Sequence, residues 1–341
     1  MLEVFYKNMM YLCCFFVTAC NSASYISINV KEPANIVFPD YVEHVIIFDG
    51  TDSTKKTENH IFEYENNKPE IIHLVTDTLS TVLCDYLLTN LAEQQFFDRV
   101  DFLNIPLNEK KAKSDSIIQQ IDTDAVITLT NMNVKSKVSL KNITDYGLLR
   151  GVYEVISQAK FTITGLHTDW EKDIAVTDTI FWESVGLDAN GALADLPYFD
   201  DALLESIYQV ATIAMKKMIP HWETEYRRYY TSTSGNMKNA TNFIKENDWK
   251  NAYQNWIEEH EATTNKTKKA KCAANIALFY EMQHDLENAE TWATKSRNDF
   301  ENTGEKRNKE SISYLKDYIL RLQMRQKESA WLDMQEGTVT K

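Results

Sequence analysis

The sequence predicts an α+β protein: an N-terminal domain with one mixed sheet covered by helices, followed by a C-terminal domain made only of helices. Strand and helix periods of apolar residues alternate up to about residue 230, and helical periods alone follow. A five-residue string also recurs once in the helical part, as is typical of helical repeat proteins. The 341 residues suffice for two domains at ~100–200 residues each.

The first 19 residues have the layout of a bacterial signal peptide. A mostly apolar run from Met9 to Ala19 follows a positive charge, is too short to span a bilayer and ends in small residues. The string Val17-Thr18-Ala19-Cys20 resembles the lipobox of bacterial lipoproteins, and this resemblance implies cleavage before Cys20 and acylation of its thiol. We therefore expect residues 1–19 to be a lipoprotein signal peptide and residues 20–24 a tether. The alternative is a buried N-terminal helix.

Charge and hydropathy limit the partners. A net charge of −14 repels phosphate backbones and anionic headgroups, so we expect no nucleic-acid partner and membrane attachment through lipid alone. No later run of 18 or more apolar residues follows the leader. The polar residues after Cys20 lack the acidic cluster of some surface-exposed lipoproteins, which favours a bacterial outer-membrane location facing the periplasm.

The first half of the N-terminal domain, which we assign to residues 25–233, is predicted from local periodicity. Alternating residues indicate half-buried strands, a continuous apolar run indicates a strand covered on both faces, and leucines every four residues indicate a helix. In order, we predict strands at 25–30 and 42–48, a loop at 51–69, a helix at 71–94, a strand at 96–103, a short helix at 114–121 and a strand at 124–130.

The second half begins with a hairpin. Its strands, 159–164 and 174–182, alternate apolar and polar residues around a polar turn. A loop at 188–195 follows, and then a helix that Asp200 or Asp201 caps and Pro220 ends. We expect a last strand, 222–230, to close the sheet.

This element order resembles a known domain of envelope lipoproteins. Together with the strings Asp124-Ala125-Val126-Ile127 and Ile180-Phe181-Trp182-Glu183, it resembles the small α/β domain of the curli-secretion lipoprotein, of the lipoprotein activators of penicillin-binding proteins, and of the N-terminal part of the Tol translocation protein. The resemblance covers about residues 42–219 and implies a non-catalytic domain that binds other envelope components. The long pore-forming strands of the curli protein have no predicted counterpart, which argues against a channel.

The helical domain, residues 236–328, contains an internal repeat. Asp248-Trp-Lys-Asn-Ala252 recurs as Asp285-Leu-Glu-Asn-Ala289, a step of 37 residues. The pattern resembles the tetratricopeptide repeat, whose small residues let paired helices approach closely and whose usual period is ~34 residues. The residues expected to pack between the helices are Ala240, Phe243, Ala252, Trp256, Ala277, Tyr280, Ala289 and Ala293. We predict a disordered tail at 329–341.

The sequence offers no strong catalytic or metal-binding motif. Asp49-Gly50-Thr51 follows an apolar strand, where one hydrolase family places a nucleophilic Asp, but Thr51 stands where that family has a second Asp, so a plain turn is favoured. The seven histidines show no metal-ligand spacing, and we expect no metal and no cofactor. Cys84 and Cys272 lie in apolar patterns and are predicted to be buried as small hydrophobic residues.

Four aromatic residues cluster near the end of the first domain: Trp222, Tyr226, Tyr229 and Tyr230. They indicate either a packed interdomain seam or a binding surface. The whole chain is most similar to bacterial lipoproteins with tetratricopeptide repeats, so the leading hypothesis is a non-catalytic envelope adaptor that binds other envelope proteins or peptides. The alternatives are a small-ligand binder or hydrolase that uses the Asp49 loop or the Gly186–Asp195 loop, and a subunit of an envelope secretion assembly.

Overall fold

The computed structural model describes residues 23–51, 58–64, 70–74, 78–103, 122–143 and 147–337. The predicted signal peptide, Cys20 and the predicted helix at 114–121 lie outside these ranges. The chain forms two compact units. The sheet unit comprises the described residues of 33–221 together with those beyond 332, and the helical unit comprises the described residues up to 32 together with 222–332.

The sheet unit contains seven strands and three helices within the described residues. They are β2 (His44–Asp49), β3 (Glu58–Tyr64), β4 (Glu70–Leu74), α1 (Leu79–Gln94), β5 (Arg99–Leu103), β6 (Ala125–Ile143), β7 (Leu148–Gly165), β8 (Glu171–Gly186), α2 (Ala189–Leu193) and α3 (Phe199–Met218). The helical unit begins with β1 (Ala23–Glu32) and resumes with β9 (His221–Tyr230), followed by α4 (Gly235–Lys245), α5 (Trp249–Ala262), α6 (Lys266–Met282), α7 (Leu286–Asn302) and α8 (Glu305–Gln335).

The long strand β6 organises the sheet. Along one edge it pairs in parallel first with β2, Val45 opposite Ala125, and then with β3, His60 opposite Ser136. Along the other edge it pairs with antiparallel β7 from Ala125 to Ile143, and β7 in turn pairs with β8. The predicted hairpin between β7 and β8 is confirmed. The sheet is mixed, as the sequence predicts.

Helices α1 and α3 cover one face of this sheet. Leu83, Leu87 and Leu91 of α1 are fully buried in the same core as Ile207 and Ala211 of α3. Burial of such large apolar side chains stabilises a domain by ~1.5–3 kcal/mol each. The strand β2 is buried on nearly every residue, as its continuous apolar run predicts.

Several predictions about local structure are wrong. The segment 71–74 belongs to β4, which pairs with β3 inside the predicted loop, so the helix begins only at Leu79. Leu74 and the regularly spaced leucines after it fit the spacing of apolar residues on one face of a helix. Residues 70–74 nevertheless form backbone hydrogen bonds with the strand β3. The predicted loop at 188–195 contains the short helix α2, which Asp188 caps. The strands β6, β7 and β8 are longer than the predicted segments 124–130, 159–164 and 174–182, since they span 19, 18 and 16 residues.

The largest correction concerns β1 and β9. Both were expected in the single sheet of the N-terminal domain, yet among the described strands they pair with each other alone, in a two-stranded sheet of the helical unit. We call this pair the ribbon. Side chains of Asn29 and Thr224, and of Tyr25 and Arg228, hydrogen-bond across it, which matches antiparallel strands. The two compact units divide at about residue 222, and the helical unit also takes in the described residues of 23–32.

The helical unit builds its core from consecutive packed helices. Its apolar interior joins small residues such as Ala277 and Ala293 to large ones such as Trp256 and Phe300. Residues 329–335, predicted as part of a disordered tail, continue helix α8. Gln335 donates to the carbonyls of Ala34 and Ile36 and accepts from the amide of Ala34; all three residues belong to the sheet unit. The prediction of buried Cys84 and Cys272 is confirmed.

Candidate functional site

Asp49 ends β2 at the carboxyl edge of the parallel strands. Its buried carboxylate accepts hydrogen bonds from the amide and hydroxyl of Thr51, at 3.0 and 2.7 Å, and from the hydroxyl of Ser80 at 2.9 Å. These donors lie within the turn and at the start of α1, so both carboxylate oxygens serve to tie the turn to the helix. This geometry favours the structural interpretation over a nucleophile.

A cavity of about 560 Å³ lies in the sheet unit, between the strands and the segment that carries α2 and the start of α3. Most of its lining is aromatic or aliphatic. The lining residues are His60, Phe62, Val138, Tyr153, Asn190, Leu193, Ala194, Leu196, Pro197, Tyr198 and Phe199. The Gly186–Asp195 loop, singled out by sequence, thus supplies Asn190, Leu193 and Ala194.

Two glycines let α2 approach the sheet closely. A Cβ atom on Gly151 would lie 2.2 Å from the carbonyl oxygen of Ala192, and one on Gly186 would lie 2.3 Å from its amide nitrogen. These distances are far below normal contact, so both strands need glycine where the backbone of α2 crosses them. The cavity wall formed by α2 depends on this contact.

The polar groups of the cavity are uncharged at neutral pH. Burial lowers the pKa of His60, whose Nδ1 lies 2.6 Å from the hydroxyl of Ser136. Burial raises the pKa of Tyr153 to about 12, with the Ser136 hydroxyl opposing and the Asp200 carboxylate adding to the rise. The His60 ring packs edge-on against Tyr153 and Phe199, with centroids 5.9 and 5.0 Å away. The Tyr153 hydroxyl makes no hydrogen bond of normal geometry among the described residues, although Ser136 lies close enough to lower its pKa.

A polar cluster lies at the opposite, amino end of β2. His44 contacts the carbonyl oxygen of Asp122 through Nδ1 and the carboxylate of Asp101 through Nε2, at 2.6 and 2.9 Å. Asp124 accepts from the amides of Glu43 and His44, which lowers its pKa. Among the described residues, no three or more His, Cys, Asp or Glu side chains are arranged to hold a metal ion. The bonds of His44 and Asp124 to main-chain groups of residues 43, 44 and 122 connect the loops at the start of the sheet.

In the helical unit, the repeated string forms the same turn twice. Asp248 caps α5 by accepting from the amide and side chain of Asn251, at 3.1 and 2.6 Å. Asp285 caps α7 by accepting from the amide and side chain of Asn288, at 3.1 and 2.7 Å. Six of the eight repeat positions are fully buried, and Phe243 and Tyr280 are partly buried: the six are Ala240, Ala252, Trp256, Ala277, Ala289 and Ala293.

The aromatic cluster predicted on β9 is divided between two environments. Tyr229 and Tyr230 are buried, and Tyr230 packs against Phe300 with ring centroids 5.7 Å apart. Trp222 and Tyr226 are 54% and 70% exposed. Tyr229 and Tyr230 therefore pack inside the helical unit rather than at a seam between domains, whereas Trp222 and Tyr226 are exposed.

Helices α6 and α8 hold the main chain of β9. Asn275 of α6 accepts from the amide of Tyr230 and donates to its carbonyl oxygen, at 2.6 and 2.7 Å. The hydroxyl of Tyr314 in α8 accepts from the amide of Arg228 at 2.9 Å. Asn275 is fully buried, so these bonds satisfy strand groups that lack water. The ribbon is thus bonded to the helices through its backbone.

A buried ion network, which the sequence reasoning missed, lies beneath the ribbon. Glu281 accepts two hydrogen bonds from Arg227 Nε and one from its Nη2, as well as bonds from Arg325 and from the Tyr318 hydroxyl. The side chains of Glu281 and Arg227 are 0% and 3% exposed. Burial lowers the pKa of Arg227, but the carboxylates of Glu281 and Glu225 more than offset this and raise it.

A sequence signal for this network did exist. In β9, Arg227 alternates in phase with the aromatic Tyr229, so a strand period places it on the buried face. Glu281 similarly stands alone in the apolar end of α6. A buried Arg needs a buried acid, but periodicity cannot say which of the 50 acidic residues supplies it.

Fold and sites together define a protein with a mixed-sheet unit and a helical unit that carries a strand ribbon. Residues 42–230 match the family model described as "Domain of unknown function (DUF8603)", which spans more than half of the chain, so the protein belongs to this family. Residues 238–324 match a second model, "Domain of unknown function (DUF6340)".

Other comparisons add no function. No curated protein matches the chain. A solved structure titled "Crystal structure of uncharacterized protein" aligns with a TM-score of 0.26 and 11% identity, over 52% of this chain and 93% of its own. Within the described ranges, no helix is both long and apolar enough to cross a bilayer.

Proposed function

We propose that this protein is a non-catalytic, lipid-anchored protein of the bacterial cell envelope that binds another polypeptide through its helical unit. The observation that supports the proposal is the outward face of the ribbon. There Tyr25, Trp222 and Tyr226 are each more than half exposed, although the strands beneath them are bonded to buried helices.

Fixed, exposed aromatic side chains suit protein recognition. Lys31 lies over the Trp222 ring at 5.5 Å, and Arg228 lies over the Tyr25 ring at 5.6 Å and the Tyr314 ring at 4.9 Å. These cations hold the rings in place, so a partner loses little side-chain entropy on binding. Trp, Tyr and Arg are also the residue types enriched at interface hot spots.

The helical unit supplies the platform for this face. Its two identical caps, 37 residues apart, and its small buried residues support a tetratricopeptide-like stack. Helices α6 and α8 bind the backbone of β9, an extended segment of the same chain, and helical repeat stacks commonly offer extended surfaces for binding. Because β9, a segment of the same chain, already occupies this surface of the helices, we propose that the partner contacts the exposed face of the ribbon.

The test is site-specific photocrosslinking in cells. A benzophenone amino acid in place of Tyr226 should give one discrete adduct, and adding Trp222→Ser should reduce it at least fivefold. Phe181 is a matched control, because it is an aromatic strand residue of the sheet unit that is 61% exposed. Equal adducts from both positions, or an adduct indifferent to Trp222→Ser, would contradict the proposal.

Location is tested separately. Cys20→Ala should release the protein from the membrane fraction, whereas Cys84→Ala, which changes a buried thiol, should leave it attached. If the Cys20 variant still sediments with membranes, the anchor lies elsewhere.

A further inference from the structure

We propose that the cavity of the sheet unit binds a small, uncharged, aromatic molecule that accepts a hydrogen bond from the Tyr153 hydroxyl. The proposal concerns a different unit from the ribbon and does not depend on the function proposed above. It rests on the volume of the cavity, the chemistry of its lining and one unpartnered polar group.

The volume suits a compact organic ligand. Pockets for small molecules typically measure ~300–1,000 Å³ and are lined mainly by apolar and aromatic side chains with a few polar groups. This cavity has about 560 Å³ and follows that composition. Tyr198, 84% exposed at its rim, adds an aromatic surface that a bound molecule would cover.

The lining selects against charge. None of its described side chains is an acid, a lysine or an arginine, and the one histidine, His60, has a pKa lowered by burial. An ionised ligand would lose its hydration without gaining an opposite charge, which is costly. The rings of His60, Tyr153 and Phe199, of which His60 contacts the other two edge-on, give the wall aromatic surfaces against which a flat ring can pack.

The Tyr153 hydroxyl specifies the polar contact. Tyr153 is 2% exposed, and its hydroxyl makes no hydrogen bond of normal geometry within the described part of the chain; the nearby Ser136 hydroxyl, which lowers its pKa, is bonded to His60 instead. Buried hydroxyls nearly always have a partner, and leaving one without is unfavourable. Because the raised pKa keeps the phenol protonated at neutral pH, it acts as a donor, and a ligand carbonyl or ether oxygen is the matching acceptor.

The probe is prodan, a neutral propionyl naphthalene with a dimethylamino group, whose emission reports both apolar surroundings and a hydrogen bond to its ketone. Titration of the full mature chain should give saturable, blue-shifted emission. Tyr153→Phe keeps the shape and should weaken binding about five- to tenfold, the effect expected for one neutral hydrogen bond. Unchanged affinity in this variant would overturn the assignment of Tyr153.

A cavity-filling variant provides the site control. Ala194→Trp fills the lining from an exposed position and should weaken binding at least tenfold, whereas Ala175→Trp, on the exposed side of β8, should change it less than twofold. Circular dichroism of each variant should match the parent. No saturable binding, or equal affinity of Ala194→Trp and the parent, would overturn the proposal. Competition by anilinonaphthalene sulfonate or decanol as strong as by neutral naphthyl ketones would overturn the stated ligand class.

Discussion

Glu281→Gln should destabilise the helical unit far more than any surface substitution. Glu281 is the common acceptor for Arg227, Arg325 and Tyr318, and its side chain is fully buried. A neutral amide keeps the shape but removes the negative charge, so the buried guanidinium of Arg227 is left with only the partly buried Glu225 as a counter-charge.

The magnitude follows from the geometry. Removing one partner of a buried ion pair costs about 3–5 kcal/mol, because the remaining charge is desolvated without compensation. Tyr318→Phe removes a single bond of 2.7 Å to the carboxylate, for which about 1.5–3 kcal/mol is expected. Glu310→Gln is the matched control: Glu310 pairs with Arg228 but is 83% exposed, so we expect less than ~1 kcal/mol.

The assay must separate the two units, since two-unit chains seldom unfold in one step. Each unit holds one buried cysteine, Cys272 in the helical unit and Cys84 in the sheet unit. Burial raises the pKa of Cys272 to about 12, so its thiol reacts only after unfolding. Pulsed thiol labelling along a urea series, read by peptide mass spectrometry, therefore gives a transition for each unit.

Glu281→Gln should lower the urea midpoint at Cys272 and leave the midpoint at Cys84 in place. If the free energy of unfolding measured at Cys272 falls by less than ~1 kcal/mol, the Arg227 charge is compensated without Glu281 and the reasoning is refuted. A decrease in the free energy of unfolding no larger than the decrease caused by Glu310→Gln would lead to the same conclusion.

Two further predictions use urea denaturation, which is followed by circular dichroism for the pH series and by the same labelling at neutral pH for the glycine variants. Burial lowers the pKa of His260 to about 4, below its unfolded value of ~6.5. The helical unit should therefore be fully stable above pH 6.5 and lose stability as the pH falls towards 4. The variant His260→Leu should abolish this loss of stability, and an unchanged loss would exclude His260 as its cause. Gly151→Ala, whose Cβ would meet the Ala192 carbonyl, should cost the sheet unit about 1–3 kcal/mol, whereas Gly191→Ala, with 3.4 Å to its nearest neighbours, should not.

Local patterns predicted the elements that depend on local or sequential contacts. The β7–β8 hairpin follows from alternation around a polar turn, and the repeated string corresponds in the structure to the starts of α5 and α7, whose caps are its two Asp residues. The segment 70–74 was misread because its apolar residues fit a helical stripe equally well, and its strand partner β3 lies in a polar stretch with little periodicity of its own.

The candidate sites were predicted less completely, because each joins distant segments. The Gly186–Asp195 loop was singled out, but the cavity also needs His60 from β3 and Tyr153 from β7, whose alignment beside β6 is a matter of strand register. The exposed Trp222 and Tyr226 were identified as a possible surface, whereas the division from buried Tyr229 and Tyr230 depends on where α6 and α7 lie.

The sequence by itself determined the alternation of strands and helices, the change to helices alone and the 37-residue repeat, because each is written in the spacing of apolar and capping residues. Only the tertiary structure decided that β1 and β9, nearly 190 residues apart, leave the main sheet to pair with each other. The backbone hydrogen bonds of a strand can be satisfied by any exposed strand edge, so long-range packing determines which strand becomes its partner. Here the buried Arg227–Glu281 pair and the Asn275 bonds to Tyr230 join that ribbon to the helices.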